Sequence, residues 1–226
     1  MISYDPQQPL ISLHIPKTAG TSLAQALRDW YGDRFFLHYP GGKYSIGDAP
    51  WEPGVCIHGH FNKRHGAGLD DCYPQARQIM TVLRDPFERM VSLWRHLRRD
   101  QETGRNSVLA DYPDFGSWFD AKARQLESDP AAGFIANFFP RRVTSETVRG
   151  MFDDQYIFVG ITERSGESIS RLAQVLGKPA IEIGRENVAT DAESGFFDWR
   201  ARHEQTFTLE HEVYAEALRV FEAGHR

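Results

Sequence analysis

The chain has 226 residues, enough for one sizeable domain whose core needs no staples. Hydrophobic residues make up 41% and charged residues 25%, as in an ordinary globular protein. The net charge of −5 excludes a global basic field for nucleic acid, so any anion site has to be local. Two cysteines, Cys56 and Cys72, are too few for a disulfide framework and point to a reducing compartment. The N-terminus has no basic segment leading into a long apolar run, and no window approaches the ~20 apolar residues of a membrane span. The expected location is therefore the cytoplasm.

Leu10–Ile15 is short, apolar and β-branched, which predicts a buried strand. Leu23, Ala26, Leu27 and Trp30 then recur at helical spacing and predict a helix over Ser22–Trp30. Residues 38 to 54 are dense in Gly and Pro and read as loop. Val55–Phe61 reads as a second strand, followed by a polar connection with room for one short helical turn. Gln78–Leu83 is a third strand ending at Arg84. Asp85 suits an N-cap and Pro86 the first helical position of a helix whose apolar face carries Phe87, Val91, Trp94 and Leu97. Between residues 100 and 150, "FGSWFDAKARQLES" and part of "AAGFIANFF" look helical. Gln155–Glu163 is a further strand, followed by a helix with Ile169, Leu172, Ala173 and Leu176 on one side and Gly177 as its stop. The tail from 201 to 224 reads as helix. No repeat, low-complexity segment or linker interrupts the chain. The expected fold is α/β: a single domain over residues 1–226 with a central parallel β-sheet flanked by helices.

In such sheets ligands lie beyond the carboxyl ends of the strands. One such end is crowded with chemistry. "HIPKTAGTS" places one Lys, one Gly and three hydroxyls where a strand feeds a helix, and the free N–H groups of a helix start attract phosphate. A Walker-type loop for a nucleoside triphosphate needs Lys after the second Gly and a Gly at its start. Here Lys17 precedes Gly20 and the first Gly is missing, so the order is wrong for a kinase, and no magnesium ligand is evident.

"HIPKTAGTS" resembles the 5′-phosphosulfate loop of the sulfotransferases that use 3′-phosphoadenosine 5′-phosphosulfate (PAPS). "VLRDPFERMVSLW" resembles their 3′-phosphate motif, an Arg at a strand end with a Ser eight residues on. "HGHF" and "FVGITERSGESISRL" are similar to the branch that includes the carbohydrate 2-O-sulfotransferases. These motifs run in order from about Leu10 to Leu176. The resemblance implies a P-loop-NTPase-like architecture, PAPS as co-substrate without a metal, and an acceptor hydroxyl, tilted toward carbohydrate. It leaves loop 38–54, segment 100–150 and the tail uncovered, and acceptor recognition would lie there.

The same resemblance assigns roles. Lys17 would balance charge on the leaving phosphate oxygens, as Lys and Arg clamps do in phosphoryl transfer. Thr18, Ala19, Gly20, Thr21 and Ser22 would offer N–H groups and hydroxyls to the 5′-phosphate; capping of the helix start is a compatible reading of the same residues. Arg84 can grip a phosphate by two parallel hydrogen bonds, and Ser92, about two turns into the next helix, can reach the same group. Arg89, Arg95, Arg98 and Arg99 read as a solvated helix face, with an ion pair open to Arg89. His60 is the general base by resemblance, and its pKa range suits proton abstraction. His58, two residues earlier on the same side of the strand, would be a helper or a buried hydrogen-bonded histidine. "ENVA", Glu186–Ala189, would form a late loop near the nucleotide. A rival reading takes Cys56, His58 and His60 as zinc ligands, with His65 or Cys72 completing the set, but the spacing fits no common structural zinc pattern. Two other functions stay open: a nucleotide kinase on a related scaffold, and a PAPS-binding module without turnover.

Overall fold

The computed structural model describes residues 1–39, 49–129, 135–181 and 196–224. In chain order the elements are β1 (Leu10–Leu13), α1 (Gly20–Tyr31), β2 (Phe35–His38), β3 (Cys56–Gly59), α2 (Leu69–Cys72), β4 (Ile79–Leu83), α3 (Pro86–Glu102), α4 (Phe115–Ser128), β5 (Tyr156–Ile161), α5 (Ser165–Leu176), α6 (Phe197–Thr206) and α7 (Thr208–Glu222). The strands form one five-stranded sheet in the order β2-β3-β1-β4-β5 with every pairing parallel. Parallel strands need both faces covered: β1, β3, β4 and β5 are buried throughout, and edge strand β2 is half-buried except at His38.

Strand alternation divides the core. Ile11, Leu13, Ile57, Ile79 and Val159 point to one face, where Phe139, Phe152, Val213 and Phe221 meet them. Leu10, Cys56, Met80 and Phe158 point to the other, against Leu23, Leu27 and Trp30 of α1 and Leu172 and Leu176 of α5. A third, aromatic cluster joins α3 and α4 through Phe87, Trp94, Phe115, Trp118 and Phe119. No helix among the described residues is long and apolar enough to cross a membrane.

Most elements lie where the residue pattern puts them. The Asp85 carboxylate accepts from Glu88 N at 2.9 Å as the N-cap of α3, and Gly177 takes φ +63° at the end of α5. Three expectations need correction. Residue 38 is not loop: Phe35–His38 forms edge strand β2, which pairs with β3. The tail is two helices, because the chain turns at Phe207 and buries that ring in the aromatic cluster. Arg89 leaves the solvated face and takes the ion pair that was open to it: it is 1% exposed and pairs with Glu210 at 2.8 Å. Parts of loop 38–54 and of "AAGFIANFF", and all of "ENVA", lie outside the described residues.

Candidate active site

The three central strands β3, β1 and β4 end side by side, and each carries a predicted site residue just past its carboxyl end: His60, the 16–22 loop, and Arg84. The loop is unusual. Lys17 and Ala19 both take positive φ, +74° and +59°, a conformation that costs a residue with a Cβ about 1–2 kcal/mol. Successive residues that switch hand in this way turn their amides to one side, a geometry suited to anions. Helix α1 begins right after it, and Ala19 supplies no side-chain cap. Among the described residues no acceptor is found for the amides of Gly20, Thr21 and Ser22, whereas Leu23 N already bonds Ala19 O at 3.1 Å. Thr18 turns inward: it is buried and its hydroxyl donates to Ile15 O at 2.8 Å, which braces the loop. Lys17 is half-buried. Burial first, then the nearby Arg99 and Arg84 charges, lower its pKa from the usual lysine value.

His60 follows β3. Its amide donates to His38 O at 3.0 Å, and no hydrogen bond of its ring is found among the described residues. Burial, with His38 adding to it, holds the imidazole down at about 4. It is therefore neutral at physiological pH, with a lone pair available to take a proton. His58 sits one pleat deeper. Its Nδ1 shares a 2.8 Å hydrogen bond with Ser12 Oγ inside the sheet, both residues fully buried. Burial, then the His60 and Arg28 charges, brings it to about 3. A residue with no exposed surface cannot meet an acceptor, so its place is that of a neutral brace.

One residue of this constellation was not anticipated. His14, just past β1, stacks on His58 with centroids 4.9 Å apart and lies 4.6 Å from the His60 ring. Its Nδ1 shares a 3.0 Å bond with Tyr39 Oη, and its ring presses on Gly20, where an added Cβ would come within 1.9 Å of Nε2. The sequence held the signal. Ser12 and His14 show the same two-residue spacing as His58 and His60, and the parallel register that pairs Ser12 with His58 carries His14 alongside His60.

Arg84 is mostly buried and stands 3.9 Å from both Glu88 and Glu163, too far for a hydrogen bond. Those carboxylates are held elsewhere: Glu88 accepts from Arg200, and Glu163 from Asp85 N and Tyr214 Oη. Ser92 is half-buried on α3. Cys56 lies in the apolar layer under α1, and no group of three His, Cys, Asp or Glu among the described residues is arranged to hold a metal ion. Arg98 and Arg99 are exposed and Arg95 is half-buried, as a solvated helix face implies, and all three border a concavity between α3, α4 and α6.

A single five-stranded parallel sheet flanked by helices, with a strand–loop–helix at its central strand, makes this an α/β protein. Within that class, the model of the sulfotransferase family matches residues 1–134, more than half of the chain, and the chain belongs to that family. Among solved structures it is similar to a sulfotransferase from Alicyclobacillus acidocaldarius, at 16% identity with a TM-score of 0.55, over 96% of this chain and 98% of that one. At that identity the likeness speaks for the fold. A search of curated proteins finds no match.

Proposed function

We propose that the protein, acting as one domain over its whole length, transfers a sulfuryl group from PAPS to a hydroxyl of a carbohydrate, without a metal. The observation that carries this reading is the 16–22 loop. Two positive-φ residues lead into a helix start with no side-chain cap, whose first amides have no acceptor among the described residues, and Lys17 is one of the two. PAPS would supply the sulfuryl group. Lys17 and the amides of Ala19 to Ser22 would hold its 5′-phosphosulfate, and Arg84 and Ser92 its 3′-phosphate. In turnover the acceptor oxygen forms the new S–O bond and its proton passes to His60. The S–O bond to the 5′-phosphate breaks, and its electron pair stays on the departing nucleotide. Lys17 balances the charge that collects there. His58 and His14 keep the His60 ring in place.

The test separates binding from chemistry. Purified protein is screened with labelled PAPS against glycans and small alcohols, and the His60→Ala and Lys17→Ala variants are compared with wild type. His60→Ala keeps affinity for 3′-phosphoadenosine 5′-phosphate (PAP) and loses about 10²–10⁴-fold in turnover, the usual worth of a positioned base. Lys17→Ala loses turnover with a modest loss of affinity, because Lys17 already touches the ground state. A folded His60→Ala variant with wild-type turnover would remove His60 as the base. Absence of PAP binding by wild type would remove the reading altogether.

A further inference from the structure

His14 Nε2 is closed off from solvent and has no hydrogen-bond partner among the described residues. A buried polar nitrogen left so costs free energy, and a folded chain seldom keeps one without a use for it. Its place shows the use. Nε2 lies 1.9 Å from the point a Cβ on Gly20 would occupy. In a helix the Cα–Cβ bond tilts toward the N-terminus, the direction in which the free amides of the first turn point. Nε2 therefore stands on the amide side of α1, beside the N–H groups of Gly20, Thr21 and Ser22, for which no acceptor is found among the described residues.

Burial first, then the His58, His60 and Lys17 charges, hold the His14 pKa well below the usual histidine value, so the ring is neutral and keeps one proton. Its Nδ1 shares the 3.0 Å bond with Tyr39 Oη, and burial pushes that phenol up to about 12, so the phenol keeps its proton too. Donation by the phenol to Nδ1 leaves the imidazole proton on Nε2, in line with the donors around it. The rings of His14 and Tyr39 also lie 4.6 and 4.7 Å from that of His60. His14 thus touches both the loop that would hold the 5′ end of PAPS and the base that would meet the acceptor. What passes between those two points is the sulfuryl group.

We propose that His14 is a catalytic residue that recognises the sulfuryl group itself: its Nε2–H donates to a sulfuryl oxygen of PAPS, and Tyr39 is a positioning residue that holds the ring in the Nε2–H form. The inference rests on the sulfotransfer reading above and adds to it the side chain that tells a loaded donor from a spent one. Sulfuryl oxygens only accept hydrogen bonds, so an Nε2 lone pair would repel them where an Nε2–H attracts them. PAP has no such oxygens and leaves Nε2 unanswered. His14 keeps its proton throughout; the proton of the acceptor goes to His60.

Calorimetry without acceptor tests this, with PAPS and PAP titrated separately into the full-length protein and its variants. His14→Met lowers PAPS affinity roughly tenfold, the worth of one charge-assisted hydrogen bond, and leaves PAP affinity within about twofold. Tyr39→Phe lowers the ratio of PAPS to PAP affinity in the same direction by a smaller factor. His14→Gln, whose amide can place an N–H near the Nε2 position, recovers most of the ratio, which packing beside His60 alone could not do. An unchanged ratio in either His14→Met or Tyr39→Phe, folded by circular dichroism, overturns the proposal. So does an equal loss for both nucleotides, which would place the effect on the shape of the loop, and so does a Gln variant as poor as Met, which would assign it to the ring's packing. In all three cases wild type still binds PAPS and PAP, and the sulfotransfer reading stands. Wild type that binds neither nucleotide overturns that reading and the role of His14 with it.

Discussion

His14 and His60, on adjacent parallel strands, bring their rings to 4.6 Å between centroids, and the His14 ring also rests against Gly20 at the head of α1. One imidazole thus spans the gap between the anion loop and the proposed base. The contact with Gly20 leaves no room: an added Cβ would sit 1.9 Å from His14 Nε2. Gly20→Ala must displace either the loop or the histidine. Circular dichroism is expected to show a folded protein, PAP affinity to fall at least tenfold, and turnover to fall further because His60 loses its neighbour. A Gly20→Ala protein with wild-type PAP affinity would show that the loop gives way freely.

Acid should destabilise the fold through its buried histidines. His58 is held at about 3, His60 at about 4 and His203 at about 3, each mainly by burial. All three lie below the value near 6.5 that a histidine has in an unfolded chain. Between those limits the unfolded chain binds the extra protons. The stabilisation is complete above about pH 6.5 and is lost as pH falls toward the folded values. For His58 alone the loss is about 2 kcal/mol at pH 5. Thermal unfolding from pH 7.5 to 4.5 should show Tm falling on the acid side. His58→Asn, whose amide can still meet Ser12, should flatten that limb. An acid limb as steep in His58→Asn as in wild type would exclude His58 as a contributor.

What the sequence disclosed follows from where its signals are local. The strand–loop–helix at Leu10–Tyr31 carries its pattern within a few residues, so the loop, Arg84 and the two histidines of "HGH" were all legible. His14 was passed over because its importance comes from a neighbouring strand, and no local spacing displays a parallel register. β2 was missed because four residues at a sheet edge give too short an alternation to stand out from the Gly- and Pro-rich loop that follows. For Arg89 an ion pair stayed only an alternative because its partner, Glu210, lies far along the chain. The concavity bordered by Arg95, Arg98 and Arg99 was not legible for the same reason: its other walls come from α4 and α6.

The Arg89–Glu210 pair ties α3 to α7 inside the protein, with side chains 2% and 4% exposed and a 2.8 Å contact. Glu210 also accepts from Ile135 N at 3.3 Å. Removing one buried charge strands the other, which costs about 3–5 kcal/mol. Arg89→Met should therefore lower the urea midpoint sharply. Arg89→Met combined with Glu210→Gln removes both charges and keeps an acceptor for Ile135, so it should recover most of the loss. A double variant no more stable than Arg89→Met would mean that the pair acts through packing rather than charge.

Arg84 offers the sharpest functional test of the nucleotide assignment. Its guanidinium stands 3.9 Å from Glu88 and Glu163 and makes no hydrogen bond to either. Both oxygens of Glu163 are engaged, by Asp85 N and Tyr214 Oη, and Glu88 accepts from Arg200 through its other oxygen. The donors of Arg84 stay available at the end of β4. On the proposed reading they meet the 3′-phosphate, and one charge-assisted interaction contributes about 1.5–3 kcal/mol. Arg84→Ala should weaken PAP roughly tenfold to hundredfold and scarcely affect adenosine 5′-phosphosulfate, which lacks the 3′-phosphate. Both titrations are run with chelator present, since the cradle is made of amides and cations and needs no divalent ion to face a phosphate. Equal losses for the two nucleotides would make Arg84 a structural residue, and loss of wild-type PAP binding on adding chelator would show that a metal belongs to the site.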